Sequence, residues 1–404
     1  MNHPQRPGIE VRRLSMAEID QPFVSEWLAL EARAIEPNAY MSPHFVLPAL
    51  RHLRPATLPI FVAIYGNPGT GTRLLGLGIF TAEGPTRRFP LPHLRSYRCV
   101  HSYVTGPLID PEAAESAVDA LFDFVDKPGS PWHGLVFDNR NAEGPLAAAL
   151  DAAASRRGIT WVGLETFSQA ILYPARIDDQ YLDRVMSRKR QKKLQRAYRQ
   201  LAETGAVSWH VIDGREVSAE TVETFLELEN SGWKKENGSS LRCRPAHEAF
   251  FTEMCTGFAQ DGRALFTELR VDGRAIASTS NFLSGAAAFA FKLGWDPDFA
   301  KYAPGVLNEY LLVRHARERL GSLSYIDSGT DEGSFIEMLW ADKTPITTGF
   351  YATSRLARIL IPFWMRLRGL WRRFRRRPTA SSRAAASGSD ETAPGAVDRE
   401  GPDA

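Results

Sequence analysis

The sequence predicts an α+β fold of two lobes, in which mixed, mostly antiparallel sheets are flanked by helices. Three observations support this prediction. The chain has 404 residues, which is more than one ordinary domain needs. Hydrophobic residues make up 44% and charged residues 24%, a balance that can bury a large core. Strand-like and helix-like stretches alternate in both halves, and their order is clearer in the second half.

Four segments are expected along the chain. A first lobe spans residues 1–178, and a second lobe, which begins with a basic helix, spans residues 179–353. An amphipathic, arginine-rich helix is predicted at 354–377. The remainder, 378–404, consists largely of Ala, Ser, Gly, Pro and acidic residues, which is typical of a disordered tail.

The first lobe begins with a predicted helix at 15–35, because Ser15 is followed three residues later by Glu18, the spacing of a capping box. The further predicted elements are strands at 58–65, 73–81, 133–137 and 160–164 and helices at 111–125 and 143–157. No strict sequence repeat relates the two halves, so the prediction of two similar lobes depends on the order of elements alone.

The second lobe contains two strong hairpin signals, Asp272-Gly273 and Ser284-Gly285. They separate three apolar runs that are typical of strands. The predicted elements are helices at 218–233, 246–259 and 305–320 and strands at 264–271, 274–283, 286–295 and 324–327.

A long basic helix is predicted at 181–204, and it is closed by Gly205. Eight lysines and arginines lie between Arg184 and Arg199. Two interpretations stay open: a solvated charged face, or a surface for an anionic group such as a cofactor phosphate or a lipid headgroup.

The predicted helix at 354–377 has nine arginines and no acidic residue. Its apolar residues recur at helical spacing, which indicates an amphipathic helix that suits an anionic membrane surface. The alternative is a terminal helix that packs on the domain with its arginines in water.

Several classes of protein are disfavoured by composition. The net charge of +2 does not suit a general nucleic-acid binder, so nucleic acid is not expected as a partner. Three cysteines without a C-x-x-C pair favour neither disulfides nor a zinc site, and no metal is expected. The first 30 residues do not resemble a signal peptide, and no run of apolar residues is long enough for a transmembrane helix, which indicates a cytoplasmic protein.

The second half also contains the parts that acyl-CoA chemistry requires. The strand at 286–295 offers an edge for the pantetheine arm, and Ala303-Pro304-Gly305 leads directly into a helix. Backbone N–H groups at a helix start bind phosphate well, and glycine permits close approach. Many helices begin with Pro-Gly, so this pattern alone is weak.

Three motifs give these parts a family resemblance. The run 289–307, FAFKLGWDPDFAKYAPGVL, resembles the signature of a bacterial GNAT-type group that is associated with cellulose and exopolysaccharide synthesis, often called CelD-like. The runs 229–241 and 327–343 resemble two further motifs of that group. The order helix, hairpin strands, strand, helix, strand is also the order of a GNAT core. Gly329 stands where the group has a cysteine, so no role can rest on a thiol there.

The resemblance implies an acyltransferase that moves an acyl group, acetyl above all, from acyl-CoA to an amine or hydroxyl acceptor. Association with the group suggests a small molecule or a sugar as acceptor, such as an envelope or polysaccharide precursor. A peripheral position on the inner face of the membrane would agree with the helix at 354–377. The group is distantly similar to Fem-type aminoacyltransferases.

Candidate site residues follow from these motifs. The catalytic candidates, which would deprotonate the acceptor or protonate the leaving thiolate, are Asp296, Asp327 and Tyr302. The cofactor-binding candidates are Lys292, Pro304, Gly305 and Val306. The substrate-binding candidates are Trp233, Lys234, Gly238, Ser239 and Glu309.

Structural roles are open for several of these candidates. Asp296 precedes Pro297 and suits a turn, and Tyr302 suits a packing role. Lys292 could pair with Asp296 or Asp327, and Glu309 could interact with the helix dipole. Trp233 and Lys234 could be a core tryptophan beside a capping lysine.

Two rival functions remain. A Fem-type enzyme would take its aminoacyl group from charged tRNA, and the basic helix would then bind RNA phosphates. A degenerate acyltransferase fold could instead serve as a non-catalytic, membrane-attached assembly partner, and the missing cysteine keeps this alternative open.

Overall fold

A computed structural model describes residues 8–67, 71–87 and 89–375, with only the backbone described for Trp233 and residues 367–375. The predicted disordered tail 378–404 and the last residues of the predicted helix 354–377 lie outside the described residues.

The strands form one sheet across both lobes. They are β1 Ile9–Leu14, β2 Ile60–Gly66, β3 Arg73–Glu83, β4 His93–Ser96, β5 Leu108–Ile109, β6 Gly134–Asn141, β7 Trp161–Leu172, β8 Val207–Asp213, β9 Ala264–Val271, β10 Arg274–Ser284, β11 Ala287–Trp295, β12 Tyr325–Asp327 and β13 Asp342–Ala352.

The helices lie on both faces of this sheet. They are α1 Gln21–Arg33, α2 Pro43–Pro48, α3 Ala114–Asp126, α4 Pro145–Arg156, α5 Tyr181–Val185, α6 Arg188–Ala202, α7 Ala219–Glu229, α8 Gly232–Glu236, α9 Pro245–Gln260, α10 Pro304–Leu320 and α11 Arg355–Arg375. Within the described part of the chain, no helix is both long enough and apolar enough to cross a membrane.

Two predicted helices begin differently from expectation. The capping box of Ser15 and Glu18 closes a short 3-10 turn, and α1 begins only after Asp20, whose side chain accepts a hydrogen bond from the N–H of Phe23. The predicted basic helix 181–204 is two helices, because Met186 is extended and Ser187 caps a new helix, α6.

The order of strands is β1-β2-β3-β4-β6-β13-β7-β12-β11-β10-β9-β8, with β5 paired to β3. Among the described strands only β4–β6 and β11–β12 are parallel, one pair in each half of the sheet. The predicted α+β class with mixed, mostly antiparallel pairing is confirmed. The two lobes share their sheet because β13, at the end of the second lobe's sequence, lies between β6 and β7 of the first lobe.

Alternate residues of the strands bury two separate faces, as the two-residue period of a strand requires. Ile60, Val62 and Ile64 pack under α3 and α4, whereas Phe61 and Ala63 lie in a second core with α1, α2, α7 and α9. This second core, the front core, continues across both lobes. On the other face, α5, α6 and α10 cover the second lobe.

Gly294 lets α7 approach β11 closely. A Cβ atom at residue 294 would lie 2.4 Å from the backbone nitrogen of Glu229, at the end of α7. No side chain fits there, so glycine at this position fixes the distance between α7 and the strand that carries the candidate site.

Candidate active site

Strands β11 and β12 separate after a short parallel pairing. β12 pairs only with residues Ala287, Ala288 and Phe289, and β11 then continues to Trp295 paired with β10 alone. The pairing of β11 with β10 slips by one residue at this point, which places a β-bulge near Phe291. We call the space beside residues 290–295 of β11 the splay cleft.

Side chains from both lobes occupy the edge of β11 in the splay cleft. The hydroxyl of Tyr103 donates to the carbonyl of Phe291 at 3.1 Å, and the hydroxyl of Tyr40 donates to the carbonyl of Ala290 at 3.4 Å. Lys234 Nζ donates to the carbonyl of Leu293 at 2.7 Å. The first lobe therefore supplies two tyrosines to a site whose strands belong to the second lobe. The sequence analysis did not identify them, since no motif marks either tyrosine.

Asp327 ends β12 beside the bulge, opposite Phe289. Its buried carboxylate accepts hydrogen bonds from the backbone N–H of Gly329 at 2.8 Å and from the side chain of Gln169. Burial raises the pKa of Asp327 to about 6, although both hydrogen bonds oppose the change. A carboxylate with this pKa is ionised at neutral pH and is well matched to accept a proton.

Glu36, in the loop after α1, is a second carboxyl near Asp327 and is half-buried. It accepts a hydrogen bond from the N–H of Leu146 at 3.3 Å, in the first turn of α4. Burial raises the pKa of Glu36 to about 7, and the charge of Asp327 contributes in the same direction. The sequence analysis missed Glu36, because only the tertiary fold brings the first lobe to this cleft.

Gly329 has a backbone that favours glycine, with φ of +62°. A Cβ atom there would lie 2.6 Å from Cδ2 of Tyr103 and 3.0 Å from the carbonyl oxygen of Ala290. The ring of Tyr103 thus occupies the space that a cysteine side chain at residue 329 would need.

A pair of histidines lies next to the cleft. His101 Nε2 and His247 Nδ1 are 3.1 Å apart, and the ring of His101 stacks on Phe250. Burial, with a smaller contribution from the charge of Lys292, lowers the pKa of His101 to about 2. Burial also lowers the pKa of His247. Both rings are therefore neutral at pH 7, and the cations Lys292 and Arg244 lie close to them. The sequence analysis assigned no role to His247 or His101.

Asp296 lies far from Asp327. Asp296 is seven residue steps along the extended chain from Phe289, the neighbour of Asp327, so the two carboxylates are roughly 20 Å apart. Asp296 pairs with Arg274 and caps the 3-10 turn that follows β11. It lines a separate polar groove of about 550 Å³ between α7 and the β9–β10 hairpin.

Tyr302 is buried in the core beneath α10. The structure therefore does not bring the three predicted catalytic residues together, and only Asp327 lies at the splay cleft.

The start of α10 carries the predicted cofactor-binding residues. Ala303 is left-handed with φ of 52°, no side chain caps the helix, and its first turn has no acidic residue. Gly305 packs on Leu293 of β11, since a Cβ atom there would lie 2.9 Å from the Leu293 side chain. Pro304 is buried and Val306 is half-buried. By contrast, the start of α3 in the first lobe follows a 3-10 turn that contains Glu112 and is capped by Asp110.

Glu309 lies in the interior, one turn into α10. It accepts a hydrogen bond from Thr279 at 2.7 Å, next to Asn308, which bonds to Thr267 and Trp209. Burial raises the pKa of Glu309 to about 7. The structure places this predicted substrate-binding residue in the core and not at the splay cleft.

The loop after α7 is held against β11 through Lys234. Its ammonium group lies 3.4 Å from the buried carboxylate of Glu229, in addition to its bond to Leu293. Ser239 donates to the carbonyl of Lys234 at 3.3 Å, and Gly238 has φ of 65°. The side chain of Trp233 lies outside the described residues. Lys234 is thus brought to the edge of the cleft, and Ser239 bonds to its backbone, whereas Gly238 lies in the exposed turn between them.

No three His, Cys, Asp or Glu side chains cluster closely enough to hold a metal ion in the part of the chain that the structure describes. The cysteines Cys99, Cys243 and Cys255 are free thiols.

Residues 188–335, about a third of the chain, match the model of the acetyltransferase (GNAT) domain family. Among solved structures, FemX has a TM-score of 0.54 at 12% identity, and the similarity covers 85% of this chain and 96% of FemX. The C-terminal domain of a putative lysylphosphatidylglycerol synthetase from Agrobacterium fabrum has a TM-score of 0.49 at 11% identity, covering 84% and 94%. A tandem GNAT protein from the clavulanic acid biosynthesis pathway has a TM-score of 0.37 at 18% identity, covering 85% and 97%. No curated protein sequence matches the chain.

The fold is thus that of GNAT-like lobes, and the second lobe carries a segment that matches the acetyltransferase (GNAT) domain. This match shows that the second lobe contains a segment similar to acetyltransferase (GNAT) domains. It specifies neither the acyl donor nor the acceptor, and the similarity to FemX at 12% identity concerns the fold alone.

Proposed function

We propose that the protein transfers an acyl group, acetyl above all, from acyl-CoA to an amine or hydroxyl acceptor in the splay cleft. One observation carries this proposal: the edge of β11 beyond its pairing with β12 runs from the bulge beside Asp327 to the uncapped start of α10. An acyl centre, a slot for the pantetheine arm and a phosphate site would then follow one another along a single strand.

The donor's arm would take over hydrogen bonds that side chains of the cleft make to the edge of β11. Tyr103 and Lys234 donate to the carbonyls of Phe291 and Leu293, the same backbone groups that an amide of the arm would reach. At the end of the strand, the N–H groups of Gly305 and Val306 would bind the pyrophosphate, favoured by the positive end of the helix dipole.

The reaction requires one side chain that takes up a proton and one that gives a proton. The nitrogen or oxygen of the acyl acceptor attacks the thioester carbon, its proton passes to the carboxylate of Asp327, and the carbon–sulfur bond breaks. The hydroxyls of Tyr40 and Tyr103 lie at the bulge and could protonate the departing thiolate. Tyr302, proposed for that role from the sequence, lies in the core beneath α10.

The acceptor would lie on the side of His101, His247 and Lys292. The neutral imidazoles of the histidines can accept hydrogen bonds from hydroxyl or amine groups, and Lys292 favours an acceptor that carries an anionic group. A phosphorylated or acidic sugar precursor of an envelope polymer fits this description. It agrees with the resemblance to the CelD-like group, which is part of this proposal.

Acetyl-CoA is expected to bind with one-to-one stoichiometry in titration calorimetry, and thiol release should depend on an amine or amino sugar in a screened panel. Because the phosphate and arm sites are separate from the acyl centre, free CoA should compete with acetyl-CoA. A correctly folded protein that binds neither compound would refute the acyl-CoA donor and would favour the non-catalytic alternative.

A second candidate donor is an aminoacyl-tRNA, and the observation that favours it is the charge of α6. The helix packs on the core of the second lobe through Leu194 and Leu201. Its cations are exposed, and in the part of the chain that the structure describes they form no ion pairs. They are Arg188, Lys189, Arg190, Lys192, Lys193, Arg196 and Arg199. Such a row of outward cations suits an extended chain of phosphates.

The triple variant K189Q/K192Q/R196Q separates the two donors. These cations face away from the core, so kcat/KM with acetyl-CoA is expected to stay within about two-fold of wild type, as for other exposed charges far from a site. If the donor is an aminoacyl-tRNA, transfer should fall steeply with salt in the wild type and less steeply in the variant. That result would overturn the acyl-CoA proposal.

A further inference from the structure

The amphipathic helix α11 is fixed to the first lobe at its beginning. Ala357 and Ile361 are buried against Val136 and Phe350 of the sheet. The guanidinium of Arg358 donates to the carbonyl of Arg157 at 2.9 Å, and Ser354 accepts a hydrogen bond from the N–H of Ala357. The first two turns therefore have a defined orientation on the body of the protein.

A different side of α11 leaves large apolar side chains in solvent. Leu356 is 48% exposed, Ile359 is 73%, Leu360 is 39% and Phe363 is 63%. Their spacing of three, four and seven residues places them on one stripe, which is rotated away from the buried pair Ala357 and Ile361. Only two further large hydrophobic residues, Leu58 and Val100, are comparably exposed in the described part of the chain.

The sequence continues this stripe along the helix. Leu367, Leu370 and Phe374 follow at the same helical spacing, and the backbone is helical to Arg375. The intervening positions are rich in arginine: residues 354–377 contain nine arginines and no acidic residue.

Charge decides which partner suits this stripe. A second copy of the chain would bring two arginine-rich helices together, and like charges at close range oppose such pairing. An anionic lipid surface accepts both features at once, since apolar side chains enter the boundary of the acyl chains while arginines contact phosphate headgroups.

We propose that α11 is a membrane-docking helix, which lies on an anionic lipid surface with Leu356, Ile359, Leu360 and Phe363 inserted. The helix would hold the protein at the lipid surface through its attachment to the first lobe. The cleft of the second lobe is not part of this contact, so the inference does not depend on the proposed acyl transfer.

Sedimentation of the full chain with vesicles tests the proposal. Vesicles of phosphatidylcholine with phosphatidylglycerol are expected to bind the protein at least about tenfold more tightly than phosphatidylcholine alone, and added salt should weaken the binding. The variant I359S/F363S should lose about tenfold in affinity, because it removes two inserted apolar side chains. The variant R366Q/R372Q/R373Q should also lose about tenfold in affinity, but only for the anionic vesicles.

L58S is the matched control, since Leu58 is an equally exposed leucine outside α11 and its loss should not change vesicle binding. Leu58, Ile359, Phe363 and Arg366 are exposed, and all the variants should melt at the wild-type temperature. Equal binding to neutral and anionic vesicles, or unchanged binding of I359S/F363S, would overturn the proposal. So would a dimer in light scattering that I359S/F363S dissociates, because the stripe would then be a contact between copies.

Discussion

Replacing Asp327 with asparagine is expected to lower kcat/KM for acyl transfer by roughly a hundred- to ten-thousand-fold, the contribution of a general base. The side chain would keep its size and its place at the end of β12 but could no longer take the acceptor's proton. The wild-type kcat/KM should rise with pH through about 6, as the carboxyl ionises, and the variant should lack this step. Steady-state rates of thiol release across a pH series measure both effects.

Asp296→Asn is the matched control for this experiment. Asp296 is also a buried aspartate after a strand of the second lobe, but it pairs with Arg274 roughly 20 Å from Asp327. The control should retain the chemical step and the pH profile, and both variants should still bind CoA. Wild-type activity in Asp327→Asn, or a loss confined to Asp296→Asn, would show that the base lies elsewhere.

Glu309→Gln is expected to stabilise the protein above neutral pH. The pKa of Glu309 is raised from 4.5 to about 7 by burial, so its folded carboxyl binds a proton more tightly than the unfolded one. Its contribution to stability is therefore present below pH 4.5 and is lost as the pH rises through 7. Glutamine keeps the hydrogen bond from Thr279 without the buried charge, which should raise the free energy of unfolding by about 3 kcal/mol at pH 8.

Chemical denaturation at several pH values measures the gain in free energy of unfolding of Glu309→Gln, which should approach zero near pH 4.5. Glu318→Gln, on the exposed side of the same helix, is the control and should change stability little at either pH. The rate of acyl transfer should be unaffected by Glu309→Gln, since the residue lies in the core and not at the cleft. Equal stability of wild type and variant at pH 8 would contradict the proposed cost of the buried charge.

The strands and helices of the second lobe were largely predictable because local signals agree with the fold. The Asp272-Gly273 turn gives the hairpin of β9 and β10, Ala303-Pro304-Gly305 marks the start of α10, and apolar residues at helical spacing give α11. Strands β1, β4, β5, β8 and β13 were not predicted. The sequence of β13, DKTPITTGFYA, begins with polar residues and contains a proline. This pattern resembles a loop more than a strand that lies between two other strands of a sheet.

The candidate site was predictable only in part, for a related reason. Asp327 ends a short strand and belongs to a recognisable motif, whereas Glu36, Tyr40 and Tyr103 come from loops that carry no local signal. They reach the cleft because β13 inserts between β6 and β7 and joins the two halves of the sheet. Asp296 was a reasonable candidate by motif, but the length of β11 separates it from Asp327.

Local sequence patterns were enough to predict the class of fold, the edge strand followed by a helix start, and the amphipathic arginine-rich helix. Each depends on residues that are near one another in the chain, where turn chemistry, periodicity and charge act directly. Tertiary packing was needed to show which carboxylates share the cleft, that Tyr103 fills the space beside Gly329, and that Glu309 is buried. These features depend on pairing and packing between segments up to 250 residues apart in the chain, and the register of a sheet is set by the whole core.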